Sequence, residues 1–395
     1  MAGIYIHIPY CKSKCIYCDF YSTPQVETME QYVHSLLCEA RLRHGEIEGE
    51  PVSTLYLGGG TPSVLPISLL STLIEGMKEV FDLSNLEEFT IEVNPDDVTA
   101  ASVKALVALG VNRVSMGVQS FNDGELQAIN RRHSAQQAID AVAAIKDAGI
   151  TNVSIDLIYG LPGQSLNSWQ RNVERAIGLD VQHISAYCLS YEPGTPLWAM
   201  RQLGRVVPVS DEDCVAMHDT LVAMLTQAGF EHYEISNFAR PGYRSRHNSS
   251  YWNFTPYLGL GAAAHSFDGS TRRYNPSSIK EYVTALGNGA TACVEEHLEW
   301  WERYDEEVMV RLRTCDGIDT ALIAQRYGDK AHNHLLTQAQ PFIDQQLLSL
   351  KDGTLTLTPQ GIMLSDTIIR NLMWDNYAFL NYFCWQNNFY GEFIL

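Results

Sequence analysis

Three cysteines inside eight residues constrain this chain more than any other feature. Cys11, Cys15 and Cys18 stand at C-x3-C-x2-C spacing within Tyr10-Cys11-Lys12-Ser13-Lys14-Cys15-Ile16-Tyr17-Cys18-Asp19-Phe20. They follow directly on the apolar run Ile4-Tyr5-Ile6-His7-Ile8, which has the composition of a short strand. A loop this tight aims three thiolates at one point and supplies no fourth. A structural zinc site takes four protein ligands, and an ordinary cubane cluster takes four cysteines. Three thiolates on a [4Fe-4S] cluster instead leave one iron open to an outside ligand. Spacing alone also admits a zinc knuckle completed by a distant histidine, or a redox pair with a bystander. The order strand, cysteine loop, helix favours the open cluster.

The other six cysteines (Cys38, Cys188, Cys214, Cys293, Cys315 and Cys384) are scattered, which suits a reducing compartment, the cytoplasm, better than a disulfide framework. The sequence contains no run of about 18 apolar residues and no signal-peptide pattern, so neither a membrane span nor export is expected. A formal charge of −19 argues against nucleic acid as a partner, because phosphate binding needs a basic face. An anionic ligand would therefore have to meet a local group of arginines. With 395 residues there is room for two or three domains.

Strand-like and helical patterns alternate from the N-terminus. Strands are expected at Ile4–Ile8, Thr54–Leu57, Phe89–Val93, Arg113–Val118, Val153–Ile158 and His183–Leu189, with helical stretches between them. Six β/α units imply an α/β fold in which a parallel sheet curls into a partial (β/α)6 barrel over residues 1–200. A full TIM barrel would need two more units. Alternation then sorts the side chains. Glu92, Gln119 and Asp156 fall near the C-terminal ends of their strands, on the face opposite the aliphatic one. Ligand sites in such sheets gather at that rim. Gly58-Gly59-Gly60-Thr61-Pro62 ends the second strand on the same rim, where a glycine run lets backbone approach a ligand closely.

Taken together, the cysteine loop, Gly58-Gly59-Gly60-Thr61-Pro62 and the six units resemble the radical S-adenosylmethionine (SAM) superfamily. Four stretches narrow the likeness: Ile6-His7-Ile8-Pro9-Tyr10-Cys11, Tyr56-Leu57-Gly58-Gly59-Gly60-Thr61-Pro62, Ser115-Met116-Gly117-Val118-Gln119-Ser120-Phe121 and Ile155-Asp156-Leu157-Ile158-Tyr159-Gly160-Leu161-Pro162. They are similar to the oxygen-independent coproporphyrinogen III oxidase group, over about residues 1–370. The resemblance implies that Cys11, Cys15 and Cys18 hold a [4Fe-4S] cluster whose open iron takes the amino and carboxylate groups of SAM. It further implies SAM contacts from Tyr5, Tyr17, Gly59, Gly60, Thr61, Glu92, Gln119, Arg131 and Asp156. The residue types agree with that role, since Glu92 and Asp156 suit ribose hydroxyls or cationic groups and Arg131 suits a carboxylate.

Two departures separate the chain from the porphyrinogen-oxidising enzymes of this group. Their further cysteine two residues after the third is here Phe20, and their extension ahead of the first strand is missing. Both features resemble the heme chaperone branch, the HemW-like proteins. Arg246-His247-Asn248-Ser249-Ser250-Tyr251-Trp252 matches that branch's His-Asn-x-x-Tyr-Trp motif, which implies a heme-binding His247 in a loop of an α+β extension over residues 201–300. His265 is a second candidate. Arg240, Arg244, Arg246, Arg272 and Arg273 form a basic group suited to two heme propionates.

Residues 301–373 have the pattern of a small winged-helix-like domain: helices at Tyr304–Leu312, Ile318–Tyr327 and Phe342–Leu350, a turn at Lys351-Asp352-Gly353, a strand Thr354–Leu357 and a last helix. Residues 374–395 form an aromatic tail that must dock on the protein, pair with a second copy as a homodimer, or stay exposed. The expected function is a heme chaperone with a [4Fe-4S] cluster, SAM and heme. It would deliver heme to apo-proteins such as respiratory enzymes, membrane-associated ones included. The competing expectation is a coproporphyrinogen III dehydrogenase that decarboxylates propionate side chains, and a third is a radical-SAM enzyme acting on another anion.

Overall fold

The computed structural model describes residues 1–374, so the expectation for the aromatic tail lies, Trp374 apart, outside the described residues. Six parallel strands, β1 (Ala2–Ile8), β2 (Val52–Gly59), β3 (Glu88–Val93), β4 (Arg113–Gln119), β5 (Asn152–Tyr159) and β6 (His183–Cys188), lie side by side in chain order. Each is followed by helix, as a parallel crossover requires. Thr99, Ser134 and Ser165 cap the helices Ala100–Leu109, Ala135–Asp147 and Leu166–Gly178 with side-chain oxygens, so the turns leaving the sheet start these helices from their own sequence.

Two unlike faces result. Ile4, Ile6 and Ile8 on β1, Leu55 and Leu57 on β2, and Val114, Met116 and Val118 on β4 are buried with the helices in one large core. Each such side chain contributes roughly 1.5–3 kcal/mol through burial. The inner face is buried too, but polar: Tyr5, Thr54, Tyr56, Thr90, Arg113, Ser115, Ser154, His183 and Ser185 are all under 8% exposed. Register brings them into rows, with Tyr56 opposite Thr90, Thr90 opposite Arg113, and Ser115 opposite Ser154. A polar interior costs free energy unless its groups find partners or a ligand.

The extension does not build a sheet of its own. β7 (Glu231–Glu234) and β8 (Asn237–Ala239) continue the sheet beyond β6, while β9 (Tyr257–Leu260), β10 (His265–Phe267), β11 (Thr271–Tyr274) and β12 (Val294–His297) continue it beyond β1. The outcome is an open sheet of twelve strands among the described residues, edged by β12 and β7, so the barrel is partial as expected. The His-Asn-x-x-Tyr-Trp segment is not a loop. Ser245 accepts from the Asn248 N–H and starts a helix, Arg246–Asn253.

In the C-terminal part, Trp300–Leu312 and Thr320–Asp344 are helical, with Gly328 at φ 83° breaking the second. A small antiparallel sheet joins β13 (Ile318–Asp319), β14 (Leu348–Lys351) and β15 (Thr354–Leu357) in the order β13-β15-β14. The expected helix Phe342–Leu350 is therefore wrong in its second half. The chain turns at Gln346 (φ 60°), and Leu348 points into the core while Leu350 is exposed, which is strand alternation. Trp252 of the extension is buried in this part's core, and Arg272 pairs with Glu306 at 2.7 Å with both side chains buried, which ties the two regions together.

Candidate functional site

All twelve residues expected at the cluster and SAM, from Tyr5 to Asp156, line one cavity of about 150 Å³ at the C-terminal ends of β1–β6. The cysteine loop forms one side. The Cys11 N–H donates to the Thr23 carbonyl at 3.1 Å and the Cys18 N–H to that of Cys15 at 3.3 Å. Among the described residues no three His, Cys, Asp or Glu side chains are gathered for a metal ion, so the thiols ring the cavity rather than converge on one point as expected. Burial, then the neighbouring Cys15, pushes the Cys18 thiol up to about 12.

The glycine turn packs against the root of this loop. The Gly60 N–H donates to the Ile8 carbonyl at 2.9 Å and the Thr61 N–H to that of Tyr10 at 2.7 Å. A Cβ on Gly60 would sit 2.7 Å from the Tyr10 carbonyl oxygen, and one on Gly59 (φ 108°) would sit 2.6 Å from the His7 ring. Only glycine fits at either place.

The charged residues face inward from the remaining strands. Glu92 accepts from the Tyr56 hydroxyl at 2.7 Å and the Gly59 N–H at 3.1 Å. Burial outweighs these bonds and raises its carboxyl to about 7. Burial raises Asp156 to about 6, against the opposing pull of Ser185, Arg113, Arg131 and Ser115. Arg131 donates to Cys15 Sγ at 3.5 Å and also to Asn94 and the Gly117 carbonyl, while its Nε has no partner. Its neighbour Arg132 also borders the cavity but pairs with Asp96 at 2.8 Å, so the two consecutive arginines have different partners. A β-bulge between Gly117 and Gln119, with Gln119 at φ 65°, re-aims Gln119 into the cavity. Phe20 lines the cavity beside the cysteines.

Asn94, Ser115, Gly117, Asn130 and Tyr187 also line it and were not anticipated as site residues. Tyr187 was within reach of alternation, since it follows His183 and Ser185 on the inward face of β6. Asn130, at φ 59° just past a short helix, had no such signal.

His247 stands elsewhere. It lies at the opposite end of the barrel, where its Nδ1 is 2.8 Å from Thr54 Oγ1 and its Nε2 is 2.8 Å from the Tyr251 hydroxyl. Its ring stacks on Tyr56 at 5.1 Å and Tyr5 at 6.2 Å. Glu88 accepts from the N–H groups of Arg246 and His247, anchoring the helix N-terminus under the sheet. With 1% exposure and both ring nitrogens engaged, His247 offers no free lone pair to an iron in this conformation. His265 is half-buried and stacks on Tyr274. The arginine group does not form either. Arg244 pairs with Glu231 and Asp316, Arg246 with Glu87, Arg272 with Glu306, and Arg273 with Asp268 and Glu295. Arg240 lies over the Phe230 ring. In an acidic chain the arginines find carboxylates before they find each other.

The buried histidines carry a pH signature. Burial holds His247 and His265 down to about 3 and His133 and His232 to about 4, and keeps His183 well below its ordinary 6.5. An unfolded chain takes up these protons below pH 6.5 and the folded chain does not, so this stability is present above pH 6.5 and lost as the pH falls. Glu92, Asp156 and Glu234, raised to about 7, 6 and 7, act in the opposite direction, because the folded chain keeps their protons to higher pH. The histidines outnumber them. The melting temperature of the cluster-free protein is expected to drop steadily from pH 6 to pH 5, and a flat profile would mean that these histidines are not buried neutral.

Comparison with known proteins places this geometry. The Radical SAM superfamily pattern matches residues 5–176 and the HemN C-terminal domain pattern matches residues 298–364. The chain is 32% identical to the heme chaperone HemW of Bacillus subtilis, over 93% of this chain and 98% of that protein. It is 33% identical to the heme chaperone HemW of Lactococcus lactis, over 95% and 98% respectively. It superposes on the coproporphyrinogen III oxidase HemN of Escherichia coli, a radical SAM enzyme, with a TM-score of 0.82 and 25% identity, covering 94% of this chain and 90% of that one.

Proposed function

This chain belongs to the HemW family of radical SAM proteins, and from that membership we propose that it is a heme chaperone, which binds heme and hands it to apo-proteins. The superfamily implies a [4Fe-4S] cluster and SAM. The residues present suit both. Three thiols ring a cavity whose glycine turn admits backbone contact, and Arg131 has an Nε without a partner there. Cys11, Cys15 and Cys18 would hold the cluster, which when bound supplies an electron to SAM. Tyr5, Tyr17, Gly59, Gly60 and Thr61 would border the methionine end. Arg131 would meet the carboxylate, and Glu92, Gln119 and Asp156 the ribose and the cationic groups.

The observation that carries the chaperone reading over the dehydrogenase reading is Phe20. Where the porphyrinogen-oxidising enzymes carry a cysteine, this chain turns a hydrocarbon ring into the cavity wall, which can neither ligate nor exchange a proton. The superposition on HemN keeps the dehydrogenase as the second reading. Reconstituted protein given coproporphyrinogen III, SAM and a reductant is expected to form no protoporphyrinogen IX, and given heme it is expected to develop a Soret band that survives gel filtration. Porphyrinogen turnover would reverse the choice.

No helix among the described residues is long and apolar enough to cross a membrane. The reading has the protein work from the cytoplasm, in keeping with its scattered free cysteines, and meet acceptors such as respiratory enzymes at the membrane surface. A homodimer would suit hand-over, and its test is the solution mass with and without heme. His247 contacts heme iron only if the helix Arg246–Asn253 withdraws from beneath the sheet.

A further inference from the structure

Below the main cavity the barrel encloses a second chamber of about 40 Å³, reaching down to His247. Glu92, Asp156, Tyr5 and Tyr187 border both spaces, so the two carboxylates form the partition between them. Arg113 enters from the chamber side. It is 1% exposed and its guanidinium has one long hydrogen bond, Nη1 to Thr90 Oγ1 at 3.4 Å. Its Nε has no partner, and among the described residues it forms no ion pair. A buried cation without a contacting anion is costly. The space beside it is polar and large enough for two or three ordered waters.

We propose that Arg113 is the internal counter-cation of the SAM site, which holds Asp156 and Glu92 ionised across a small water-filled chamber so that they can receive the cationic ligand. The inference rests on reading the upper cavity as a SAM site. Charge balance supports it. Without SAM, Asp156 lies in the field of Arg131 from above and Arg113 from below, while Lys14 and Arg132 on the upper rim are engaged by the Phe20 carbonyl and Asp96. The other titratable groups facing the chamber or the two carboxylates are Tyr5 and His7 from β1, Tyr56 from β2, Tyr187 and His183 from β6, Tyr233 from β7, and His247 and Tyr251 from the floor helix. Burial keeps the phenols of Tyr56, Tyr187 and Tyr233 protonated and the imidazoles of His183 and His247 neutral, while His7 is engaged by the Tyr5 hydroxyl and the Tyr21 carbonyl. Glu88, on the strand that carries Glu92, is committed to the helix N-terminus. Glu234 is held by Asn237. Arg113 is thus a positioning residue, acting on the ligand through the two carboxylates and touching nothing in the upper cavity itself.

The field of Arg113 has a measurable consequence. Burial lifts Glu92 to about 7 and Asp156 to about 6, and Arg113 opposes the lift on Asp156. SAM affinity of the cluster-loaded protein should rise as the pH climbs through 6 to 7, and then level off. In Arg113→Met that rise moves about one unit to higher pH, so SAM binds nearly tenfold more weakly at pH 5.5 and about twofold more weakly at pH 7. Arg113→Lys, which keeps a charge, restores most of the wild-type profile and serves if the methionine variant does not fold. The measurement is isothermal titration of SAM from pH 5.5 to 8.5 on cluster-loaded protein. Infrared spectra of the cluster-free variants give a second readout, a protonated-carboxyl band at pH 7 that is stronger in Arg113→Met. Wild-type affinity and pH profile in Arg113→Met would overturn the inference, as would weaker binding with an unmoved profile, which marks a merely structural role. A wild-type protein that binds no SAM at any pH would instead remove the SAM-site reading underneath it.

Discussion

Alanine at Cys11, Cys15 or Cys18 is expected to remove essentially all of the iron and the visible absorption from anaerobically reconstituted protein, against about four irons per chain in the wild type. Two thiolates cannot hold a cubane, and among the described residues no further group of His, Cys, Asp or Glu stands ready to replace the third. SAM binding should be lost together with the cluster, because its amino and carboxylate groups would have no iron. The fold should survive. Cys11 is buried, but alanine keeps its Cβ; Cys15 and Cys18 are only partly buried, and the cluster of Tyr17, Ile129, Ile158 and Leu161 on which they pack stays in place without their thiols. Three variants with normal circular dichroism and no iron are therefore the expected result. Retention of iron in any one of them, or tetrahedral zinc in the wild type, would sink the cluster assignment.

His247→Ala is expected to cost about 2–4 kcal/mol, combining a cavity the size of an imidazole with the loss of two buried hydrogen bonds. Those partners are Thr54, on β2, and Tyr251, one turn along the same helix. The loss should spread, because that helix also supplies Trp252 to the C-terminal core and takes its N-terminal anchor from Glu88. Lost heme binding in His247→Ala would therefore be ambiguous on its own. Thr54→Val with Tyr251→Phe separates the two roles, since it leaves the imidazole but frees both of its nitrogens. If His247 is the floor of the barrel, heme binding in the double variant stays at the wild-type level. A gain in heme affinity with a shifted Soret band would instead return His247 to the role of axial ligand.

Much of the site could be found without coordinates, because it is built from short-range rules. Alternation within a strand decides which side chains face inward, and a parallel sheet gathers its strand ends at one rim. Those two rules brought Glu92, Gln119 and Asp156 together, and the adjoining turns added the cysteines and glycines. The helix starts at Thr99, Ser134 and Ser165 follow from local capping in the same way. Phe342–Leu350 went wrong because a short apolar run fits either period, and the turn at Gln346 left no mark.

The chain's own order thus determined the six β/α units, the cysteine loop and the rim of the main cavity, all through interactions between near neighbours in sequence. Tertiary structure alone decided that β9 would join β1, that the arginines would disperse onto separate carboxylates, and that His247 would close the barrel's far end, 193 residues from its partner Thr54. Edge pairing and the choice of counter-ion are settled by whichever surface and charge lie nearest in space, and distance in space between remote residues is not written in periodicity.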